Sequence, residues 1–179
     1  MKKIIENEFN EHIKTAHLIH NLTNEVANCA KLCIKSLKNG GSAADAQHMA
    51  AELVGRYKTN RKGIPAIALT TDSSSITSIG NDFGFQNIFY RQVEALANEG
   101  DIVIGISTSG KSSNVVNALK LASQINCKTI GFSGKDPGDM GKICNIILNA
   151  PSNETPRIQE IHIILVHTLC HLIDQEHLV

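Results

Sequence analysis

Three short apolar runs set the terms on which this chain can fold: DIVIGIS (101–107), KTIGFSG (128–134) and NIILNAP (145–151). None alternates polar with apolar side chains, so each reads as a strand buried on both faces. Between the first two, Val115, Val116, Leu119 and Ala122 form an apolar stripe, which predicts a helix over about 114–124. Strands alternating with helices in this way predict an α/β fold, a parallel β-sheet flanked by helices on both faces. PAIAL (65–69) reads as a further strand, and TTDSSSITSIGNDFGF after it as a polar loop leading into a helix from Gln92 to Asn98. Helical spacing also runs through about 4–38, as one long helix or two with a cap at Asn21 or Thr23. From about Pro156 to His177 the chain is apolar nearly all round, the pattern of a long buried helix. No linker, repeat or low-complexity tract interrupts it, so one domain over residues 1–179 is expected.

Charge and composition exclude several classes of function. Seventeen Lys and Arg balance seventeen Asp and Glu, which gives no electrostatic footprint for nucleic acid or an acidic membrane. No tryptophan and few other aromatics speak against a stacking platform for single strands. No apolar run approaches the ~20 residues of a membrane span. Glu6, Glu8 and Glu11 interrupt any signal-peptide core, so the expectation is a cytoplasmic protein. Five cysteines without a C-x-x-C pair indicate neither a disulfide framework nor a thiolate zinc site. Cys29 and Cys33, four apart in a helical pattern, read as small buried apolar residues.

Four constellations carry possible chemistry. The loop Ser107-Thr108-Ser109-Gly110-Lys111-Ser112 follows a strand and precedes a helix. Open parallel sheets bind ligands at that edge, and free N–H groups at a helix start attract phosphate. The spacing is not that of a Walker loop, so nucleotide hydrolysis is not expected. On the helix after Ser42, His48, Glu52 and Arg56 recur every fourth residue, with Asp45 at the N-terminal end of the same face. A His and a Glu so spaced can bind metal, pair a base with its orienting partner, or simply form a solvated stripe. The last helix carries Gln159, Glu160, His162, His167 and His171 in apolar surroundings. His162 and His171 read as satisfied core histidines. Gln159 and His167 stand about 80° apart round the helix and roughly 12 Å along it, so they meet on one ligand only by leaning together. Finally, Gly80-Asn81-Asp82-Phe83-Gly84 reads as a turn suited either to sugar hydroxyls or to a plain Asx turn.

Six segments in order, NGGSAADAQHMAAELVGRY, IALTTD, IGNDFGF, RQVEAL, GDIVIGISTSGKSSNV and PRIQEIHIILVHTLCHLID, resemble the sugar isomerase (SIS) domain and within it the phosphoheptose isomerase family. The resemblance covers nearly the whole chain. It implies a single SIS domain with a long N-terminal helical region and a long C-terminal helix. It also implies conversion of sedoheptulose 7-phosphate to D-glycero-D-manno-heptose 7-phosphate, an early step toward the lipopolysaccharide core, by a homotetramer with sites between subunits. By position, Glu52 and His167 match the acid–base pair. Asn39, Gly40, Gly41, Ser42, Asn81, Asp82, Ser107, Thr108, Ser109, Ser112 and Gln159 match substrate contacts, as does Glu52. His48, Glu52, Gln159 and His167 match the zinc ligands of some members, and no nucleotide or redox cofactor is implied. The other reading is a non-enzymatic SIS protein like the DnaA initiator-associating protein, which lacks residues matching Glu52 and His167. In one respect the chain departs from the family: Leu37-Lys38-Asn39-Gly40-Gly41-Ser42 runs from helix straight into the loop, where relatives insert a strand. A parallel sheet would lose ladder partners with that strand, so a spatial break is expected near Asn39 to Gly41.

Overall fold

The computed structural model describes residues 2–33 and 43–176. In chain order these form α1 (Lys2–His17), a 3-10 turn (Leu18–Leu22), α2 (Thr23–Cys33), α3 (Ala43–Val54), α4 (Ser73–Phe83) and α5 (Tyr90–Leu96). There follow β1 (Ile102–Ile106), α6 (Ser113–Gln124), β2 (Lys128–Ser133), β3 (Ile146–Asn149) and α7 (Thr155–Glu176). The N-terminal region is thus two helices, the second opening at Thr23. The break expected near Asn39 to Gly41, the Asn39–Ser42 loop and the burial of Cys33 lie outside the described residues.

The three strands pair in parallel in the order β1-β2-β3, with Ile104 opposite Ile130 and Ile130 opposite Ile146. Successive side chains of a strand point to opposite faces. Ile102, Ile104 and Ile106 therefore join Ile130, Phe132 and Leu148 in a core with Met49 and Leu53 of α3 and Ile161, Leu165 and Leu169 of α7. Val103 points the other way, into a second core with Val93 of α5 and Val115, Leu119 and Ala122 of α6. Continuous apolar runs are what two covered faces require.

Two segments differ from the sequence-based expectation. Ser73–Phe83 is a helix, not a loop. Asp72 caps it by accepting the Ser75 N–H at 3.1 Å, and Gly84 ends it with a φ of 84°. The serines and threonines that suggested a loop lie on a capped helix whose Ile76 and Ile79 are half-buried. PAIAL, by contrast, forms no ladder. Its approach is tied to α3 instead, through Ile64 N–H donating to Leu53 C=O at 2.9 Å. Within the described sheet β1 pairs only with β2, although all five of its residues are buried. A void of about 20 Å³, lined by Ile67, Leu69, Val93 and Val103 among others, lies between PAIAL and the β1 side of the sheet.

α6 approaches β1 closely because position 105 has no side chain. A Cβ on Gly105 would sit 2.6 Å from Leu119 Cδ1 and 2.8 Å from Val115 Cγ1. Both neighbours are buried, so the overlap has little room to relax. Gly105→Ala is expected to destabilise the fold by about 1–3 kcal/mol, the usual cost of overpacking. Urea unfolding would report this as a lower midpoint with an unchanged slope.

Candidate active site

On α3, Ala46, Met49, Ala50 and Leu53 face the core, which leaves His48 and Glu52 along the flank of that stripe. His48 Nε2 lies 3.3 Å from Glu52 Oε1. Across from them, α7 buries Leu165, Val166, Leu169 and Cys170 and leaves His167 half-buried between them. The Nε2 atoms of His167 and His48 are 3.0 Å apart, so one nitrogen carries the hydrogen and the other accepts it. The two rings meet edge to face with centroids 5.0 Å apart. Tyr57 stacks on His167 with ring centroids 5.6 Å apart. The Glu52 side chain is 24% exposed and that of His48 44%, so the cluster lies open to a ligand. Asp45 is half-buried one turn before His48; burial raises its carboxyl above the usual range, and His48 opposes the rise. Arg56, expected on the same face, is exposed and falls beyond the end of α3 at Val54.

The donor types suit zinc: two imidazole nitrogens and a carboxylate, converging from two helices. Two histidines on tetrahedral zinc at about 2.0–2.1 Å stand roughly 3.3 Å apart, a few tenths more than the spacing here. Among the described residues, however, no three or more His, Cys, Asp and Glu side chains are arranged so that they could hold a metal ion. Gln159 is exposed two turns before His167 and makes no hydrogen bond to His48, Glu52 or His167. The helical geometry that separates the two residues accounts for this.

The other histidines of α7 are only partly satisfied. His162 is fully buried with Nε2 3.1 Å from Ser133 C=O, and its Nδ1 has no protein partner. Burial pushes its pKa down, which keeps it neutral as a donor to Ser133. His171 also has a buried Nδ1 without a partner and contacts Tyr57 at 6.3 Å between ring centroids. The expectation of satisfied core histidines therefore holds for one nitrogen of His162, whereas His171 is only half-buried and its Nδ1 has no partner.

The serine loop stands where the strand–helix pattern put it. Ser107 extends β1, donating its N–H to Phe132 C=O at 2.9 Å. Its hydroxyl lies 2.8 Å from Ser112 Oγ and 3.4 Å from Ser109 Oγ. Thr108 is half-buried, and its carbonyl accepts the Gly134 N–H. Gly110 has a φ of 64°, and a Cβ there would lie 2.1 Å from Pro137 C=O, so only glycine fits. Ser112 precedes α6 without capping it by its side chain; Asn114 Oδ1 accepts the Val115 N–H at 3.0 Å, which leaves the N–H groups of Ser113 and Asn114 to a ligand or solvent. Lys111 points away to Asp136 at 3.0 Å.

A cleft of about 360 Å³ opens beside Ser112, lined by Ala43, Thr70, Ile76, Phe89, Ile106 and Asn114 among others. Gln47 donates to Thr70 Oγ1 at 3.2 Å, and Thr70 donates to Ala43 C=O at 3.3 Å, which ties the start of α3 to this cleft. His48 and Glu52 follow on the same helix. Asn81 and Asp82 do not line the cleft. They are exposed on the last turn of α4, with the Asn81 amide donating to Asp82 at 2.8 Å, so the turn expected there is a helix end. Sequence reasoning missed Tyr57, Thr70 and the buried Arg61–Asp174 pair described below; no local spacing links these residues to His167 or to the serine loop.

Residues 9–134 match the family model described as the SIS domain. The phosphoheptose isomerase of Aliarcobacter butzleri is 54% identical over 98% of both chains, and that of Helicobacter hepaticus 51% identical over 98% of this chain and 94% of its own. The structure of the Neisseria gonorrhoeae phosphoheptose isomerase superposes with a TM-score of 0.91 at 37% identity, covering 97% of this chain and 98% of that one. The Aliarcobacter alignment occupies 186 positions against the 179 residues of this chain, so the relative holds at least seven residues that this one lacks. With a family match over most of its length and full-length likeness at about half identity, the chain belongs to the SIS-domain family, among the phosphoheptose isomerases.

Proposed function

We infer that this chain isomerises sedoheptulose 7-phosphate to D-glycero-D-manno-heptose 7-phosphate through an enediol, in the cytoplasm and toward the lipopolysaccharide core. The observation that carries this reading is the meeting of His48 and Glu52 with His167 across two helices, in a chain that also presents a serine loop at a helix start. Glu52 is the base. It takes the proton from C1 of the ketose, the C–H electrons form the C1–C2 double bond, and His167 protonates the oxygen on C2. Return of a proton to C2 and loss of the O1 proton complete the aldose, with no net change in atoms or electrons. Ser107, Thr108, Ser109 and Ser112 receive the phosphate, with the start of α6 supporting its charge. Asn39, Gly40, Gly41, Ser42, Asn81, Asp82 and Gln159 contact the sugar.

If zinc binds, His48, Glu52 and His167 would hold it, with Gln159 as a further ligand only by leaning toward them, and it would supply Lewis-acid stabilisation of enediolate oxygen. The protein works as a homotetramer. Ile158, Ile161, Leu165, Leu169 and Ile173 of the α7 face that suggested association are covered within the chain, while Ile163, Ile164 and Leu172 are half-buried. Further support comes from α1, where Ile5, Phe9 and Ile13 form an exposed stripe, with Ile4 beside it. In an assembly with shared sites, the exposed Asn81 and Asp82 reach a neighbour's cleft. No helix among the described residues is long and apolar enough to cross a membrane.

Three outcomes are expected. Glu52→Gln and His167→Gln each reduce kcat by at least ~100-fold, the low end for acid–base catalysis, with zinc content measured alongside. Wild-type protein that never exchanges a carbon-bound substrate proton with deuterated solvent would leave a binding protein instead. Ser109→Ala with Ser112→Ala raises the Michaelis constant while the circular dichroism spectrum stays unchanged; an unaltered constant removes the loop from the site. Light scattering at micromolar concentration gives the mass of a tetramer, and a stable monomer contradicts shared sites.

A further inference from the structure

Behind the proton-transfer cluster lies an ion pair that the reaction does not touch. Arg61 Nε donates to Asp174 Oδ1 at 2.5 Å, and the two side chains are 2% and 0% exposed. A buried ion pair is weak evidence of added stability, because desolvation offsets most of its attraction. What this one joins is more specific. Arg61 Nη2 donates to Glu52 C=O and Nη1 to Leu53 C=O, both at 2.9 Å, and Nη1 also reaches Lys62 C=O at 3.1 Å. Two carbonyls that the helix itself leaves unpaired at the end of α3 are thereby held, that of Leu53 together with the Ile64 N–H and that of Glu52 by Arg61. At the other end, Asp174 lies on α7 two turns after His167. Its Oδ2 accepts the N–H groups of Lys58 at 2.9 Å and Thr59 at 3.1 Å. Those residues directly follow Tyr57, whose ring stacks on His167. Burial alone would raise the Asp174 carboxyl, but these two N–H donors and the guanidinium together hold it below the usual carboxylate range.

We propose that Arg61 and Asp174 are positioning residues for proton transfer, which set Glu52 and His48 on α3 against His167 on α7 and hold Tyr57 over the His167 ring. This rests on the isomerase reading for its kinetic consequence, though not for its geometry. Four of the five guanidinium N–H donors are used, in a planar fork that lysine does not reproduce. A displacement of about 1 Å at a reacting group costs on the order of 100-fold in rate, so small slips between the two helices matter.

The test uses two variants of the full chain. Arg61→Lys keeps the charge and loses the fork. Arg61→Met combined with Asp174→Leu removes both charges at similar volume, an exchange that buried ion pairs often tolerate without loss of stability. For each, thermal unfolding, kcat and KM on sedoheptulose 7-phosphate, and the imidazole ¹H–¹⁵N resonances of His48 and His167 are measured at one pH. The expected result is a folded protein with kcat lowered roughly 10- to 100-fold, KM within about threefold of wild type, and both sets of imidazole resonances shifted. Wild-type kcat and unmoved resonances in either folded variant overturn the proposal, and a lower unfolding temperature with those two unchanged assigns the pair to stability alone. If the double variant does not fold, Arg61→Lys decides by the same readings. If the wild-type protein does not turn over the heptulose phosphate, the isomerase reading fails and the resonances alone decide the positioning role.

Discussion

α7 packs along the sheet through Ile158, Ile161, Leu165, Leu169 and Ile173, against Ile104, Phe132 and Leu148, all of them nearly or wholly inaccessible. Each such side chain contributes roughly 1.5–3 kcal/mol by leaving water, so the helix has one rotation and one height that bury them together. A slip of one residue would turn it by about 100° and move it about 1.5 Å, and would carry His167 away from His48. The reactive cluster therefore inherits its geometry from aliphatic packing on the hidden side of the same helix. α3 is held in the same way by Met49 and Leu53, so the two helices meet as parts of one core.

The parts of the fold legible in the sequence are those whose signal is local. β1, β2 and β3 are continuous apolar runs, and α6 shows its stripe in a single window. α4 was hidden because serine and threonine serve equally in loops and on an exposed, well-capped helix, and the decisive feature is one carboxylate at Asp72. PAIAL has the composition of a strand, yet a strand exists only by pairing, and pairing depends on a partner far away in sequence. The site divides along the same line. His48 and Glu52 announce themselves by spacing on one helix, whereas His167 joins them through tertiary packing that only the family resemblance anticipated. Tyr57, Arg61 and Asp174 gave no signal, since an arginine and an aspartate 113 residues apart are ordinarily solvated surface residues.

The side of β1 turned away from β2 has a bearing on stability as well as on lineage. In a parallel strand half of the N–H and C=O groups point to each side, and buried groups need partners. β1 is covered above and below, so solvent does not serve it as it would serve an ordinary edge. The Aliarcobacter relative holds at least seven residues that this chain lacks, about the length of one strand with its turn. PAIAL forms no ladder, yet its Ala68 and Leu69 are buried in the core.

The hydroxyls of Ser107 and Ser112 bond to each other at 2.8 Å. Under the proposed function, a phosphate reaching this loop meets open N–H groups at the start of α6, but at the two hydroxyls it displaces an existing bond between them. Binding there is an exchange reaction in which one hydrogen bond is broken for each pair formed, and its net free energy is the difference between the two. A loop of this kind keeps its shape while empty and holds its ligand less tightly than a count of contacts would suggest.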